Sequence, residues 1–266
     1  MKRTIFITTL VAVLVVGFVA SASAGSILNR IVKNGVLVVG TTGTQPPLNA
    51  TTKDGKIIGM DADIAEQIAA GMGVKVRFNT MSFPELLPAL YADKVDMILS
   101  SMTMTPERNL KVAFVGPYYI SGKGMLTKAE TIATLQAAEN LNDPKFKLVA
   151  LKASTSQEFV EKTAPRATLV TAKSYDEALD LLLQGKVDVL IADYPFCAFT
   201  AFRHQEQGLV AGQARLTFEP LGMAVKEDPL LINWLNNFLK ILEGSGQLKK
   251  MNDYWFKNSS WIKDLK

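Results

Sequence analysis

The segment Asp96-Met-Ile-Leu-Ser-Ser-Met-Thr-Met-Thr-Pro-Glu-Arg108 combines residue types suited to holding a small carboxylate. Val95 to Leu99, apolar except for Asp96, is too short for a helix and predicts a buried strand. A hydroxyl-rich loop follows, with Ser100, Ser101, Thr103 and Thr105. Thr105-Pro106-Glu107 reads as a helix start: a Thr cap, Pro at the first helical position and an acid in the first turn. Arg108 therefore falls in that turn, beside the strand's carboxyl end, the edge where open α/β sheets bind ligands. A guanidinium fork flanked by hydroxyls can hold a carboxylate through two parallel charge-assisted hydrogen bonds. An Arg on a solvated helix face is the plainer alternative.

Further along, Ser154-Thr-Ser-Gln-Glu158 opens a helix with hydroxyls at its amino end. Thr155 and Ser156 either cap that helix or present free N–H groups, and the positive end of its dipole, to an anion. Asp193 ends the predicted strand from Lys186 and supplies an isolated negative charge. It either caps the helix after Tyr194-Pro195 or meets a cation. Phe83, next to the cap Ser82, either stacks on a ligand or packs in the core. With a carboxylate on Arg108 and the helix amino end, and an ammonium on Asp193, the set suits an α-amino acid.

Such residues need a scaffold that brings them to one cleft. Ile27 to Lys33 predicts a helix and Gly35 to Gly40 a buried strand, followed by Thr41-Thr-Gly-Thr-Gln-Pro-Pro-Leu48, a rigid turn able to wall a pocket. A helix from Asp61 or Asp63, a strand at Lys75 to Asn79, a helix capped by Ser82 and the Val95 strand complete β-α-β-α-β over residues 27–119. The plan recurs, with strands at Phe146 to Leu151, Thr168 to Thr171 and Lys186 to Asp193. Between them come the helix after Ser154 and one opened by the capping-box pattern Ser174-Tyr-Asp-Glu177. This alternation predicts parallel sheets with crossover helices. Ala92-Asp-Lys-Val-Asp-Met-Ile98 and Gln184-Gly-Lys-Val-Asp-Val-Leu190 stand at the same point of the two runs, which argues for two similar lobes. The extended run Leu216 to Val225 and the amphipathic helices Leu230 to Leu242 and Gln247 to Phe256 start no third series. Returned to the first lobe, they make the chain cross near residues 120–124 and 217–222. The expected division is lobe one at residues 25–121 and 219–266 and lobe two at residues 122–218, joined by a two-strand hinge beside a cleft.

Lys2 and Arg3, the 16 nearly uncharged residues Ile5 to Ala20, and Ala22-Ser23-Ala24 have the pattern of a secretory signal peptide, residues 1–24. The apolar stretch falls short of the roughly 20 residues a spanning helix needs. Loss of Lys2 and Arg3 lowers the formal charge from +4 to +2. The remaining cations are scattered among acids, which argues against nucleic acid as a partner. The single Cys197 and single His204 have no partners at ligand spacing, so no internal disulfide, metal site or cofactor is expected.

On Gly59-Met-Asp-Ala-Asp63, Asp96-Met-Ile98 with Thr103-Met-Thr-Pro-Glu-Arg108, Phe114 with Pro117-Tyr118, and Lys186-Val-Asp188 followed by Asp193, the mature chain resembles a known family. It is similar to the bacterial extracellular solute-binding proteins of family 3, polar amino-acid receptors of ABC importers. The resemblance implies an α/β, two-lobed periplasmic-binding-protein fold (type II-like) that closes on one ligand in the periplasm. It implies an inner-membrane ABC permease as transient partner; a monomer without cofactors is expected. It also implies that Arg108, Ser101, Thr103 and Thr155 hold the α-carboxylate and ammonium, Asp193 the ammonium, with Phe83 as a stacking face.

Gln45 and Leu48 stand where relatives often carry an aromatic pair, and Gln45 and Ser156 join the expected ligand contacts. Thr41 to Thr44 lack the acid typical of receptors for cationic amino acids, so a neutral or polar amino acid is expected. Ala153 stands where Gly is common. Cyclohexadienyl (prephenate/arogenate) dehydratases share the fold and resemble this chain from Ile27-Leu28 to Thr41-Thr42-Gly43, from Leu248 to Trp255 and around Thr155. They carry a Glu general acid where Gln157 aligns, and a Gln cannot donate that proton. A binding protein is therefore expected rather than an enzyme.

Overall fold

The computed structural model describes residues 26–132 and 141–266; the expected signal segment, residues 1–24, lies outside the described residues. In chain order, α1 (Ile27–Asn34) leads into β1 (Val36–Thr41). A small antiparallel sheet of β2 (Thr44–Gln45), β3 (Asn49–Thr51) and β4 (Ile57–Ile58) follows. The turn expected after β1 thus carries strand pairing, Thr44 with Ala50 and Gln45 with Asn49. Two-residue strands have too little periodicity to announce themselves.

Next come α2 (Met60–Met72), β5 (Lys75–Thr80), α3 (Phe83–Tyr91), β6 (Met97–Ile98) and α4 (Pro106–Asn109). Gly73, at φ 69°, ends α2 in the left-handed conformation that glycine adopts without strain. At α3 the Glu85 carboxylate reaches back to the Ser82 N–H at 3.0 Å, the return bond of a capping box. Then β7 (Ala113–Ser121) and β8 (Lys123–Lys128) carry the chain from one sheet to the other. The second sheet is built by α5 (Ala129–Ile132), β9 (Lys147–Leu151), α6 (Thr155–Thr163), β10 (Thr168–Ala172), α7 (Tyr175–Leu183), β11 (Val189–Asp193), α8 (Tyr194–Arg203) and β12 (Leu209–Ala211). The chain returns through β13 (Glu219–Val225) to α9 (Pro229–Gly244) and α10 (Gln247–Lys257).

The two large sheets have matching plans, β5-β1-β6-β13-β7 and β10-β9-β11-β8-β12. In each, three strands are parallel, and the next, β13 or β8, is the one that has just crossed from the other sheet. A strand that enters from the opposite side must run antiparallel to its neighbour, so both sheets are mixed. Helices α9 and α10 pack on the first sheet, burying Leu231, Leu235, Leu239 and Trp255 in the cluster that contains Leu37 and Val39. The Trp255 indole donates to Asp63 at 2.7 Å, which ties α10 to α2.

The repeated Lys-Val-Asp has one physical role in both lobes. The Asp96 N–H donates to the Val38 carbonyl, and its carboxylate accepts the Val38 N–H, both at 2.8 Å. The Asp188 N–H donates to the Lys147 carbonyl at 2.8 Å, and its carboxylate accepts the Lys147 N–H at 2.7 Å. Each Asp therefore clamps the entry of the central strand, β6 or β11, to its neighbour, leaving no sheet-edge donor unpaired there. Removing the acceptor strands that donor, at a cost of about 1–3 kcal/mol. Asp96→Ala and Asp188→Ala should each lower the urea midpoint accordingly, while the Asn variants, which keep an acceptor oxygen, should lose less. Equal losses for Ala and Asn would mean that the clamp contributes nothing through its hydrogen bond.

Candidate functional site

The two crossings put charged residues at the first positions of the hinge-proximal strands: Lys123 opens β8 and Glu219 opens β13. Opposite them, Asp193 closes β11. It occupies the N-cap position of α8 in extended conformation but makes no capping hydrogen bond. One carboxylate oxygen instead accepts from the Lys123 ammonium at 2.7 Å and the other from the Gln45 side-chain amide at 2.6 Å. All three are almost fully buried, with 3%, 2% and 2% of their surfaces exposed. The capping alternative for Asp193 therefore falls, because its carboxylate turns toward cations and donors rather than toward its own helix.

The network continues through the second carboxylate. Lys123 Nζ lies 3.6 Å from Glu219, whose oxygens accept from the Thr155 hydroxyl at 3.1 Å and the Thr217 hydroxyl at 3.0 Å. The Thr155 and Thr103 hydroxyls meet at 3.3 Å. Arg108 lies in the first turn of α4 as expected, with its N–H on the Thr105 hydroxyl at 3.2 Å. Its guanidinium donates to the Thr103 carbonyl at 3.0 Å and to the Ala153 carbonyl at 3.3 Å. Burial pushes its pKa down, opposed by the charges of Glu158, Glu219 and Asp193, and a guanidinium remains cationic through such a shift. Phe83 is buried in the core and lies beneath Arg108, 5.6 Å from ring centre to guanidinium, so its face supports the arginine.

Gln45 to Asp193, Arg108 to Ala153 and Thr103 to Thr155 all join the first lobe to the second. Phe199 of α8 also stacks on Trp261 of the C-terminal segment, centroids 5.2 Å apart. The lobes meet face to face.

The loops that carry these groups are strained where they leave the sheets. Ser101, shortly after β6, and Ala153, shortly after β9, both adopt left-handed φ of 53° and 59°. Non-glycine residues rarely do so, and such strain gathers at binding sites. Ala153 takes the geometry a glycine would take there, so the loop before α6 keeps its shape without one. Ser101 is held from below: its N–H donates to Asp61 at 2.9 Å, and its hydroxyl and the Asp61 carboxylate both accept from Asn49.

One expectation needs correction. Ser154 caps α6, its hydroxyl accepting the N–H groups of Ser156 at 3.2 Å and Gln157 at 3.3 Å. The Ser156 N–H is thus not free for an anion, and Ser156 itself is fully buried. Serine in extended conformation is the stronger cap, and it stands one residue before Thr155. Of the pair, only Thr155 joins the polar network. Gln157 takes a structural part: its carbonyl accepts the Ala153 N–H at 2.8 Å and its amide donates to Glu161 at 2.8 Å. Sequence reasoning passed over Lys123 and Glu219. The signal for both was present, a lone charge at each expected crossing of an otherwise apolar strand.

The model of the bacterial extracellular solute-binding proteins, family 3, matches residues 37–258. A probable amino-acid ABC transporter-binding protein of Haemophilus influenzae is 28% identical over 257 residues, covering 96% of this chain and 98% of that protein. A cyclohexadienyl dehydratase of Pseudomonas aeruginosa is 26% identical over 228 residues, covering 86% and 85%. The crystal structure of a putative ABC-transporter binding component of Wolinella succinogenes, complexed with lysine, superposes with a TM-score of 0.82 at 34% identity, covering 86% of this chain and 99% of that one.

Asp61 generates a pH prediction. Burial pushes its carboxyl up to about 6, against the pull of Asn49, Ser101 and the Tyr118 hydroxyl, which lies close by but outside hydrogen-bond geometry. A folded-state pKa above the unfolded value of about 3.9 favours folding at low pH, and that contribution is lost as pH rises through about 6. Asp61→Asn should therefore gain stability relative to the native protein between pH 4 and pH 7, on the order of 2–3 kcal/mol. Urea titrations of both proteins across that window check it; a pH-independent difference would refute the shift.

Proposed function

Since the chain belongs to the bacterial extracellular solute-binding proteins, family 3, we propose that it is the amino-acid-binding component of an ABC importer and takes a neutral or polar amino acid. The observation that carries this reading is the convergence of the half-buried Arg108 from the first lobe and the buried Asp193 from the second on one polar network, linked through Thr103, Thr155 and Glu219. An α-amino acid offers the complementary pair, a carboxylate for Arg108 and an ammonium for Asp193. Ser101, Thr103, Thr155 and Gln45 supply further polar groups at the same strand ends, and Phe83 braces the arginine. Ser156 makes no such contribution in this reading.

The ligand enters an open cleft and the lobes close over it about the Ser121–Lys123 and Thr217–Glu219 crossings. Residues 1–24 act as a cleaved signal peptide and deliver the protein to the periplasm, where it works as a monomer and docks transiently on an inner-membrane permease. No helix among the described residues is long and apolar enough to cross a membrane. The energy is adequate: a micromolar ligand needs about 8 kcal/mol net. Several hydrogen bonds to charged groups, at roughly 1.5–3 kcal/mol each, reach that after the cost of immobilising a small solute.

The similarity to a cyclohexadienyl dehydratase favours a second reading, an enzyme on the same fold. Against it stands Gln157, an amide already engaged with Ala153 and Glu161.

A thermal-shift panel on the refolded mature protein distinguishes the two. A ligand at 100 times its dissociation constant stabilises by about 2.7 kcal/mol, or roughly 5–10 °C for a protein of this size. The expected result is a shift with one or a few uncharged L-amino acids, abolished by Arg108→Ala and by Asp193→Ala. A shift with dicarboxylates alone would remove the ammonium role of Asp193. Conversion of prephenate to phenylpyruvate would establish the enzyme instead.

A further inference from the structure

The cleft network contains two cations and two carboxylates, and Lys123 is the one that links the carboxylates. Its ammonium sits 2.7 Å from Asp193 and 3.6 Å from Glu219, with 2% of the residue exposed. Glu219 is fixed by the Thr155 and Thr217 hydroxyls. Arg108 supplies the second cation, within electrostatic reach of both carboxylates and of Glu158 and Glu107, which are exposed and screened by solvent. Asp61, the other buried carboxylate nearby, is hydrogen-bonded to Asn49 and Ser101 and to none of these four groups. Within the set of Lys123, Arg108, Asp193 and Glu219 the four formal charges cancel, and Asp61 stands outside that set with its own hydrogen-bond donors.

A network whose own charges are matched accepts a zwitterion without leaving an ion unpaired. The ligand carboxylate adds a partner for Arg108, and its ammonium adds a partner for the carboxylates that Lys123 now shares. A ligand with a further cationic side chain leaves one buried positive charge without a counter-ion, and a ligand with an acidic side chain leaves one negative charge. Unpaired buried charge is strongly unfavourable. We propose that Lys123 is the specificity-determining residue of this cleft. By neutralising one of the two carboxylates, it excludes amino acids with cationic side chains and selects those with uncharged ones, with Glu219 as its balancing charge. The inference rests on the amino-acid-binding reading and names the ligand class of that same site.

Changing either charge should therefore redirect selectivity in a predictable direction. Lys123→Met gives the site one excess negative charge and Glu219→Gln one excess positive charge, while the double variant restores balance. Calorimetric titrations with L-glutamine, L-serine, L-lysine and L-glutamate on the native protein and the three variants test this. The native protein should prefer an uncharged ligand. Lys123→Met should shift the ratio of lysine affinity to uncharged-ligand affinity by at least tenfold toward lysine. Glu219→Gln should shift the corresponding ratio by at least tenfold toward glutamate, and the double variant should return to the uncharged ligand.

Unchanged ratios in both single variants, or a native protein that prefers lysine, would overturn the role of Lys123 while leaving an amino-acid receptor. Flat titrations of the native protein with all four would overturn the receptor reading and this inference with it. Circular dichroism reports whether Lys123→Met folds; if it does not, the Glu219→Gln variant and the double variant, in which both partners are neutral, decide the question.

Discussion

A carboxylate buried at the meeting face of two lobes must be paired, and the Asp193 pair with Lys123 organises much of what surrounds it. Isolated, that charge would cost far more than any single contact returns. Its partners come from separate parts of the chain: Lys123 from the first residue of a hinge-proximal strand, and Gln45 from the small sheet of the opposite lobe. Lys123, the register partner of Asp193 in the same sheet, pairs it within one lobe, and the meeting of the lobes adds the Gln45 bond. Under the proposed closure on a ligand, opening would remove Gln45 from Asp193 and let water take its place, an exchange of hydrogen bonds rather than the creation of bare charge. That is the energetic condition for a hinge that a small ligand can tip.

The architecture repeats itself around that pair. Each lobe has three parallel strands, an inserted antiparallel strand from the other side, and an aspartate clamp at the entry of its central strand. Each also leaves the sheet through a strained, non-glycine, left-handed residue, Ser101 in one and Ala153 in the other. The strained residues sit just past the carboxyl ends of the strands, where the Ala153 carbonyl accepts from Arg108 of the other lobe and Ser101 is held by Asp61 and Asn49. Rigid sheets behind and tense loops in front make a surface that is preorganised on each side, which lowers the ordering cost of binding.

The parts of this organisation that follow local rules were legible in the sequence. Helix starts at Thr105, Ser82 and Ser174 are carried by side-chain chemistry within a few residues, and each stands where the pattern put it. The recurrence of Lys-Val-Asp announced two similar lobes because the same hydrogen-bond problem arises twice. The paired strands of the first pocket loop were not legible, since two-residue strands are specified by their partners rather than by their own periodicity. The cap of α6 stands at Ser154, one residue before Thr155, because both offer a hydroxyl and backbone conformation chooses between them. Lys123 and Glu219 escaped for a different reason. A lysine in an apolar strand reads as a surface residue until the fold brings Asp193 from 70 positions away to meet it.

The most direct test of closure over an amino acid is small-angle X-ray scattering from the refolded mature protein, with and without the tightest ligand of the thermal-shift panel at saturation. The radius of gyration should fall on addition of ligand in the native protein and stay unchanged in Asp193→Ala. A native protein whose radius does not change on binding would contradict a hinge that shuts on its ligand.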